Sequence, residues 1–113
     1  MDPERARERV GAERQRIERK LAELRENRGS GELASQDQHL ADEGSDVYDR
    51  EFEQGLAEQL ERELAAVQRA EGRLAAGTYG LSVESGDPIP DERLEANPLA
   101  ERTVEEERRY EGR

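Results

Sequence analysis

A chain of 113 residues that is 42% charged and only 32% apolar cannot bury a large core, so we expect one small domain built on narrow apolar stripes. Its formal net charge of −11 disfavours direct binding to nucleic-acid phosphates. The lack of Cys excludes disulfides and thiolate metal sites. No apolar run approaches the roughly 20 residues of a membrane span, so no membrane partner is expected.

The N-terminal segment and the basic residues bear on the cellular compartment and the source of the chain. The first ten residues, MDPERARERV, are too charged for a secretory signal. Lys20 is the single Lys, and such dominance of Arg suggests a GC-rich bacterial gene. We therefore expect a cytoplasmic bacterial protein.

Residues 3–27 are predicted to form a helix, with Asp2 as its cap and Pro3 in its first turn. One apolar stripe follows the helical period. Its members are Val10, Ile17, Leu21 and Leu24, and Arg14 interrupts it. Arg and Glu alternate along this helix, which is typical of a solvated helix with i,i+4 ion pairs rather than of a nucleic-acid surface.

Residues 29–46 show no helical period and are predicted to form an extended acidic loop after the helix-ending Gly29, Ser30 and Gly31. The loop has no Lys or Arg, and it contains the single histidine, His39. Judged by composition alone, this loop is a run of charged residues exposed to solvent. His39 has no Cys or second His to share a metal, so we interpret it as a surface or turn residue.

Residues 47–76 carry the strongest pattern and predict a second long helix that ends at Gly77. Its apolar stripe consists of Tyr48, Phe52, Leu56, Leu60, Leu64, Val67 and Leu74. The stripe has a gap at Glu71. Two helices with single stripes are expected to pack antiparallel as a coiled-coil hairpin. The same stripe could alternatively mediate dimerisation.

Residues 78–113 predict a separate small module. Gly80, Gly86 and the prolines indicate turns, and Asp91 is predicted to cap a short helix that reaches Leu94. Asn97-Pro98 breaks this helix, and residues 99–111 predict a final one. The expected fold is therefore dominated by α-helix, with a hairpin at residues 1–77 and the module at residues 78–113.

Three elements of this module form a specific pattern: G-T-Y-G at residues 77–80, P-I-P at residues 88–90 and R-L-E-A-x-P at residues 93–98. This pattern resembles the zinc-finger module of the DksA/TraR family of RNA-polymerase-binding regulators. Upstream, GELASQDQHLADEGSDVYDREFEQGL resembles the hairpin tip and ascending helix of the same family. The resemblance covers about residues 29–107.

The resemblance implies a zinc finger whose ligands are all absent here. The four cysteine positions fall on Ser82, Ser85, Thr103 and Glu106, with the family's spacing intact. Three hydroxyls and a carboxylate are a poor donor set for structural zinc, so we expect neither metal nor cofactor. Without zinc, the module must be held by apolar packing, for which the candidates are Tyr79, Leu81, Ile89, Leu94 and Leu99. Ser and Thr hydroxyls can supply local hydrogen bonds to the backbone.

The resemblance also implies a function. In the family, the hairpin enters the secondary channel of RNA polymerase, and acidic residues at its tip act near the active-site Mg²⁺. The matching tip residues are Asp37, His39, Asp42, Glu43, Gly44 and Asp46. Asp42 matches the family's key acid and is the predicted acting residue. His39 stands where longer members have Asp, which is a departure from the pattern.

Other classes of function remain open. One alternative is a coiled-coil interaction protein, self-associating as a homodimer, that has lost polymerase binding together with zinc. Another is a zinc-free backup for a cysteine-bearing relative. An enzyme is not expected, because the carboxylates at residues 84, 87, 91 and 92 are accompanied by no nucleophile or phosphate-binding loop.

Overall fold

The computed structural model describes the backbone of residues 1–38 and 43–112, and the side chains of residues 1–26 and 50–112. Within these described residues, the backbone forms four helices in chain order: α1 (Pro3–Gln38), α2 (Glu43–Ala76), α3 (Asp91–Ala96) and α4 (Val104–Glu111). The prediction of a mainly α-helical protein with a helical hairpin is confirmed. Within the described residues, no helix combines the length and apolarity needed to cross a membrane.

The prediction of an extended loop over residues 29–46 is wrong for most of that segment. Helix α1 continues through Gly29 and Gly31 to Gln38, and α2 begins at Glu43 rather than after residue 46. Each glycine costs a helix about 1 kcal/mol relative to alanine. The residues that follow include the strong helix formers Glu32, Leu33 and Ala34, which offset this cost.

Contacts divide the chain into two compact units, and the first contains residues 15–65. Ile17 and Leu21 of α1 and Leu60 of α2 are buried there, as the two stripes predict. Arg16 of α1 lies 3.7 Å from Glu63 of α2 in an ion pair between the helices.

One core prediction for this unit is wrong, because the side chain of Phe52 is 64% exposed. The reason is visible in the sequence of α1. No apolar residue occurs in α1 between Leu24 and Leu33, so this stretch of the helix has no apolar side chain to offer to a stripe on α2. The side chain of Tyr48, in the same stripe, lies outside the described residues.

The other unit contains residues 1–14 and 66–113. Ala6 and Val10 of α1 and Val67 and Ala70 of α2 are buried in it. A cluster of Ile89, Leu94 and Ala100 forms the core of the module, with Tyr79 packed against it. The hydroxyl of Tyr79 donates a hydrogen bond of 2.8 Å to the carbonyl of Pro98. The predicted hairpin and module boundary at residue 77 stays a prediction.

The turns of the module fall where glycine predicts them. Gly77, Gly80 and Gly86 have φ angles of 76°, 87° and 77°, in the left-handed region that other residues rarely adopt. Helix α3 is longer than predicted, because it ends at Ala96, and Pro90 rather than Asp91 occupies its N-cap. Helix α4 begins at Val104, five residues later than predicted.

Candidate functional site

The predicted hairpin tip lies largely outside the described residues. His39 and Asp42 have no described structure. Asp37 lies in α1, and Glu43, Gly44 and Asp46 lie in α2, but their side chains are not described. The role of these residues therefore stays a prediction.

The second predicted site is the set of four positions that correspond to zinc ligands. Two of them, Ser82 and Ser85, lie in a tight turn after Gly80. The Ser82 backbone N–H donates to the carbonyl of Asp87 at 2.8 Å, and the Gly86 N–H donates back to the carbonyl of Ser82 at 3.0 Å. An isolated antiparallel bridge joins Leu81, before this turn, to Pro88, after it. The turn thus fixes the directions of both serine side chains.

The side chain of Ser82 is buried, whereas its neighbours Leu81 and Val83 are 39% and 47% exposed. Successive side chains in an extended segment point to opposite sides, so Ser82 and its neighbour Leu81 cannot both face inward. The prediction that Leu81 packs in the module core is therefore wrong, and Ser82 faces the interior in its place. Leu99, the last candidate for apolar packing, is partly buried, and Ala100 beside it completes the core.

The other two positions, Thr103 and Glu106, form a capping box at the start of α4. The Thr103 N–H donates to Oε1 of Glu106 at 2.9 Å, and the Glu106 N–H donates to Oγ1 of Thr103 at 3.3 Å. This reciprocal pair satisfies two backbone donors that the first turn of a helix leaves without partners. The sequence Thr-Val-Glu-Glu carries this signal, because Ser or Thr followed three residues later by Glu is typical of a helix start. The helix accordingly begins at Val104, after this cap, and not at residue 99.

Thr103 contacts the carboxylate of Glu106 directly, and the two serines bear on its charge. The side chain of Glu106 is buried, although it is charged. The hydrogen bond from the Thr103 backbone, and those from the hydroxyls of Ser82 and Ser85, lower the pKa of Glu106 to about 2. We refer to Ser82, Ser85, Thr103 and Glu106 as the Glu106 cluster.

The oxygens of the Glu106 cluster do not fit zinc. Structural zinc is held by thiolates and imidazoles, and the cluster offers neither. Its hydroxyl oxygens are also already engaged with the backbone. Oγ of Ser82 accepts from the N–H groups of Glu84 and Ser85, and Oγ of Ser85 accepts from that of Asp87. Among the residues whose side chains are described, no group of three or more His, Cys, Asp or Glu is arranged to hold a metal ion.

Arg102 supports the turn and α4 from a position next to the cluster. Its Nε donates to Glu84 at 3.2 Å, and its Nη1 lies 3.7 Å from Glu107. The guanidinium also lies over the ring of Tyr110, 3.8 Å from the centroid. A cation above an aromatic face is attracted by the ring quadrupole. Arg102 therefore contacts the turn through Glu84, and it contacts α4 through Glu107 and Tyr110.

Helix α1 contributes arginines to the same unit. Arg5 makes two hydrogen bonds of 3.1 Å to the carboxylate of Glu95 on α3, and Nη2 of Arg9 donates to the Glu95 carbonyl. The hydrogen bond and charge of Arg5 lower the pKa of Glu95. We predicted i,i+4 pairs on a solvated helix; Arg5 does lie 3.7 Å from Glu8, three residues away, and the structure also pairs Arg5 and Arg9 with a residue 86 to 90 positions away. Nothing in a local pattern identifies so distant a partner.

Comparisons with known proteins find a transcription factor and other bacterial proteins that are similar to part of this chain. General stress protein 16O of Bacillus subtilis is 47% identical over 77 residues, which are 66% of this chain and 47% of that protein. The RNA polymerase-binding transcription factor DksA of Caulobacter vibrioides is 36% identical over 74 residues, which are 66% of this chain and 52% of that protein. The chain thus spans about half the length of these curated relatives. No family model matches it.

A solved structure matches nearly the whole chain. The transcription factor DksA2 from Pseudomonas aeruginosa superposes with a TM-score of 0.78 at 28% identity. The match covers 99% of this chain and 87% of that one. The resemblance that the sequence motifs indicate thus extends to the three-dimensional fold.

Proposed function

We propose that this chain, which is a member of the DksA-like family, binds RNA polymerase and regulates transcription. The similarity to the Caulobacter polymerase-binding factor carries the proposal. The net charge of −11 is consistent with a partner that presents basic groups or a bound divalent cation. It is a poor match for direct contact with nucleic acid.

In the proposed mode of binding, the hairpin and the module at residues 78–113 have separate roles. The helical hairpin enters the secondary channel of the polymerase, and the module at residues 78–113 braces it at the channel rim. Asp42 is the acting acid near the active site, assisted by Asp37 and Glu43. A carboxylate suits this role because it bonds strongly to basic groups and is a preferred ligand of Mg²⁺.

Replacing Asp42 with Asn tests this role. The exchange keeps the size of the side chain and removes its charge, so we expect binding to core polymerase to persist while the effect on transcription is lost. Binding is measured by competition with a channel-binding factor, and activity by transcription in vitro.

Glu51→Gln is the matched control. Glu51 is an exposed carboxylate of α2, so the exchange removes one charge from the same helix without altering the proposed tip. We expect the control to retain full activity. Full activity of Asp42→Asn would refute the role of Asp42, and failure of the unaltered chain to bind polymerase would refute the proposed function itself.

One observation favours a second candidate, an interaction protein that associates with itself or with another helix. Phe52 is 64% exposed on α2, and an exposed aromatic side chain is a frequent contact in protein interfaces. In this alternative, polymerase binding has been lost and the α2 stripe continues into a partner. The oligomeric state in solution separates the two candidates.

A further inference from the structure

We propose that the guanidinium of Arg102 is an ionic bridge, which couples the turn at residues 82–87 to helix α4 so that the two segments open and close together, in a manner that depends on ionic strength. The guanidinium contacts both segments directly, at Glu84 on the turn and at Glu107 and Tyr110 on α4. The inference does not depend on polymerase binding.

The turn and the start of α4 carry charge of the same sign. The turn has two carboxylates, Glu84 and Asp87, and no basic residue. The first four residues of α4 include three glutamates and no basic residue. Like charges on neighbouring segments repel, and a cation between them replaces this repulsion with attraction. Arg102, which lies immediately before the cap of α4, supplies that cation.

One guanidinium reaches three partners. Nε of Arg102 donates to Oε1 of Glu84 at 3.2 Å, and Nη1 lies 3.7 Å from Oε2 of Glu107. The same group lies over the ring of Tyr110, 3.8 Å from its centroid. A planar guanidinium can donate to carboxylates from its edge while its face stacks on a ring, and the ammonium group of lysine cannot. The bridge therefore requires arginine and not only a positive charge.

The charged side chains of the bridge are partly withdrawn from water. The side chain of Arg102 is 18% exposed, that of Glu84 is 28% exposed and that of Glu107 is 31% exposed. Water and salt screen such pairs less than they screen fully exposed ones, so the pairs contribute to the coupling. Each side chain still reaches solvent, so concentrated salt should weaken the bridge.

The backbone that carries Arg102 is held from other sides. The carbonyl of Arg102 accepts from Nε of Arg93 on α3 at 2.8 Å, and the carbonyl of Glu101 accepts from the N–H of Val83 on the turn at 2.9 Å. The carboxylate of Glu101 accepts from Nε and Nη2 of Arg69 on α2, at 3.1 and 2.9 Å. Because this backbone is already fixed, less conformational entropy is lost when the contacts of the guanidinium form.

The apolar core of the module does not depend on the bridge. Ile89, Leu94 and Ala100 pack with one another, and none of them contributes to the contacts of the guanidinium. Proteins open locally in units whose stability is lower than that of the core. We therefore expect the turn and α4 to open as one unit while the core stays folded.

Amide hydrogen exchange of the full-length protein, followed by NMR, reports each segment separately. The amides of Ser82 and Gly86 report on the turn, that of Glu107 on α4 and that of Leu94 on the core. In Arg102→Gln we expect protection of the turn and α4 to fall about tenfold, the combined effect of two partly exposed ion pairs and one ring contact. The Leu94 amide should keep its protection, and Arg102→Lys should restore only part of the loss.

Effects that pass from one segment to the other distinguish a bridge from a contact that stabilises one segment alone. Glu84→Gln changes the turn, yet we expect it to lower the protection of the Glu107 amide on α4 about threefold. Glu107→Gln should likewise lower the protection of the Ser82 and Gly86 amides. Both effects should disappear when Arg102→Gln is present as well, because the link between the segments is then already lost.

Asp87→Asn and Glu105→Gln are the matched controls, because each removes one charge from an exposed residue of the same segment. Neither should lower the protection of the other segment. Losses in the controls equal to those in Glu84→Gln and Glu107→Gln would overturn the proposal. So would protection of the turn and of α4 that responds independently in every variant.

Salt provides a test that stands even if Arg102→Gln fails to fold. Raising NaCl from ~0.1 M to ~1 M shortens the Debye length from about 10 Å to about 3 Å, and it should lower the protection of the turn and α4 about threefold in the unaltered protein. In Arg102→Gln the same change should leave protection level or raise it, because only repulsion between carboxylates is left to screen. Protection of the unaltered protein that does not change with salt would show that the coupling is not ionic and would overturn the bridge.

Discussion

Arg14 and Glu71 each interrupt an apolar stripe, and the structure shows that the two interruptions face each other. Nε of Arg14 lies 3.0 Å from Oε2 of Glu71, and Nη2 lies 2.8 Å from Oε1. The hydrogen bond from Arg14 lowers the pKa of Glu71. Such a two-point pair fixes which turn of α1 faces which turn of α2, a choice that apolar contacts alone specify weakly.

A double-mutant cycle measures this pair. We expect Arg14→Leu and Glu71→Leu each to lower the free energy of unfolding, and the double variant to recover part of the loss. The coupling energy should be about 0.5–1 kcal/mol, since both side chains are about one-third or more exposed and water screens their charges.

Urea unfolding gives the free energies, and Glu61→Gln, an exposed change on the same helix, is the control. Because the pKa of Glu71 is lowered, the coupling should be present above the ordinary pKa of 4.5 and should fade as the pH drops below it. A coupling energy of zero at pH 7 would mean that the pair does not stabilise the fold.

Among the secondary-structure elements, glycine has opposite effects on stability in a helix and in a turn. Gly72 lies inside α2, where an added Cβ would meet nothing within 4 Å. Gly80 has a φ of 87°, and an added Cβ would lie 3.6 Å from Cδ1 of Leu94, which is an ordinary contact. The strain at residue 80 therefore comes from the backbone and not from crowding.

Alanine exchanges at these two glycines should change stability in opposite directions. Gly72→Ala should raise the free energy of unfolding by about 0.5–1 kcal/mol, because alanine favours the helix. Gly80→Ala should lower it by about 1–2 kcal/mol, because alanine is strained at positive φ. Thermal and urea unfolding both report the change, and a stabilised Gly80→Ala variant would contradict the assigned turn.

Across the whole molecule, the basic and the acidic side chains have different roles. Arginines of one unit join segments distant in sequence, as in the pairs of Arg5 with Glu95 and Arg69 with Glu101. These cations hold the fold, and the chain as a whole keeps the acidic surplus that gives its net charge of −11. This arrangement supports an acidic protein that meets a basic partner rather than nucleic acid.

Sedimentation equilibrium at micromolar concentration distinguishes the two candidate functions. If the chain acts alone on polymerase, we expect the mass of a single chain, and Phe52→Gln should leave that mass unchanged. A dimer that Phe52→Gln converts to the monomer would instead support the self-association alternative. Leu60→Gln, at a buried position of the same stripe, serves as the comparison that destabilises the fold itself.

Local physics accounts for the features that the sequence predicted correctly. Helical periodicity gives the two long helices and most of their buried positions, including Ile17 and Leu60, because one turn of helix brings such residues to one face. Glycines that must adopt positive φ mark the turns of the module. The positions of the Glu106 cluster followed from a motif, since their spacing was kept although the ligand types had changed.

The tertiary structure decided what depends on partners distant in the chain. Phe52 has the period of a core residue but finds no apolar surface on α1, and Leu81 faces outward because Ser82 faces inward. The charge of Glu106 is buried beside the Thr103 backbone N–H, which donates to it at 2.9 Å and is the first cause of its lowered pKa. Periodicity states which side chains share a face, whereas burial and pKa depend on what lies opposite that face, and only folding brings those groups together.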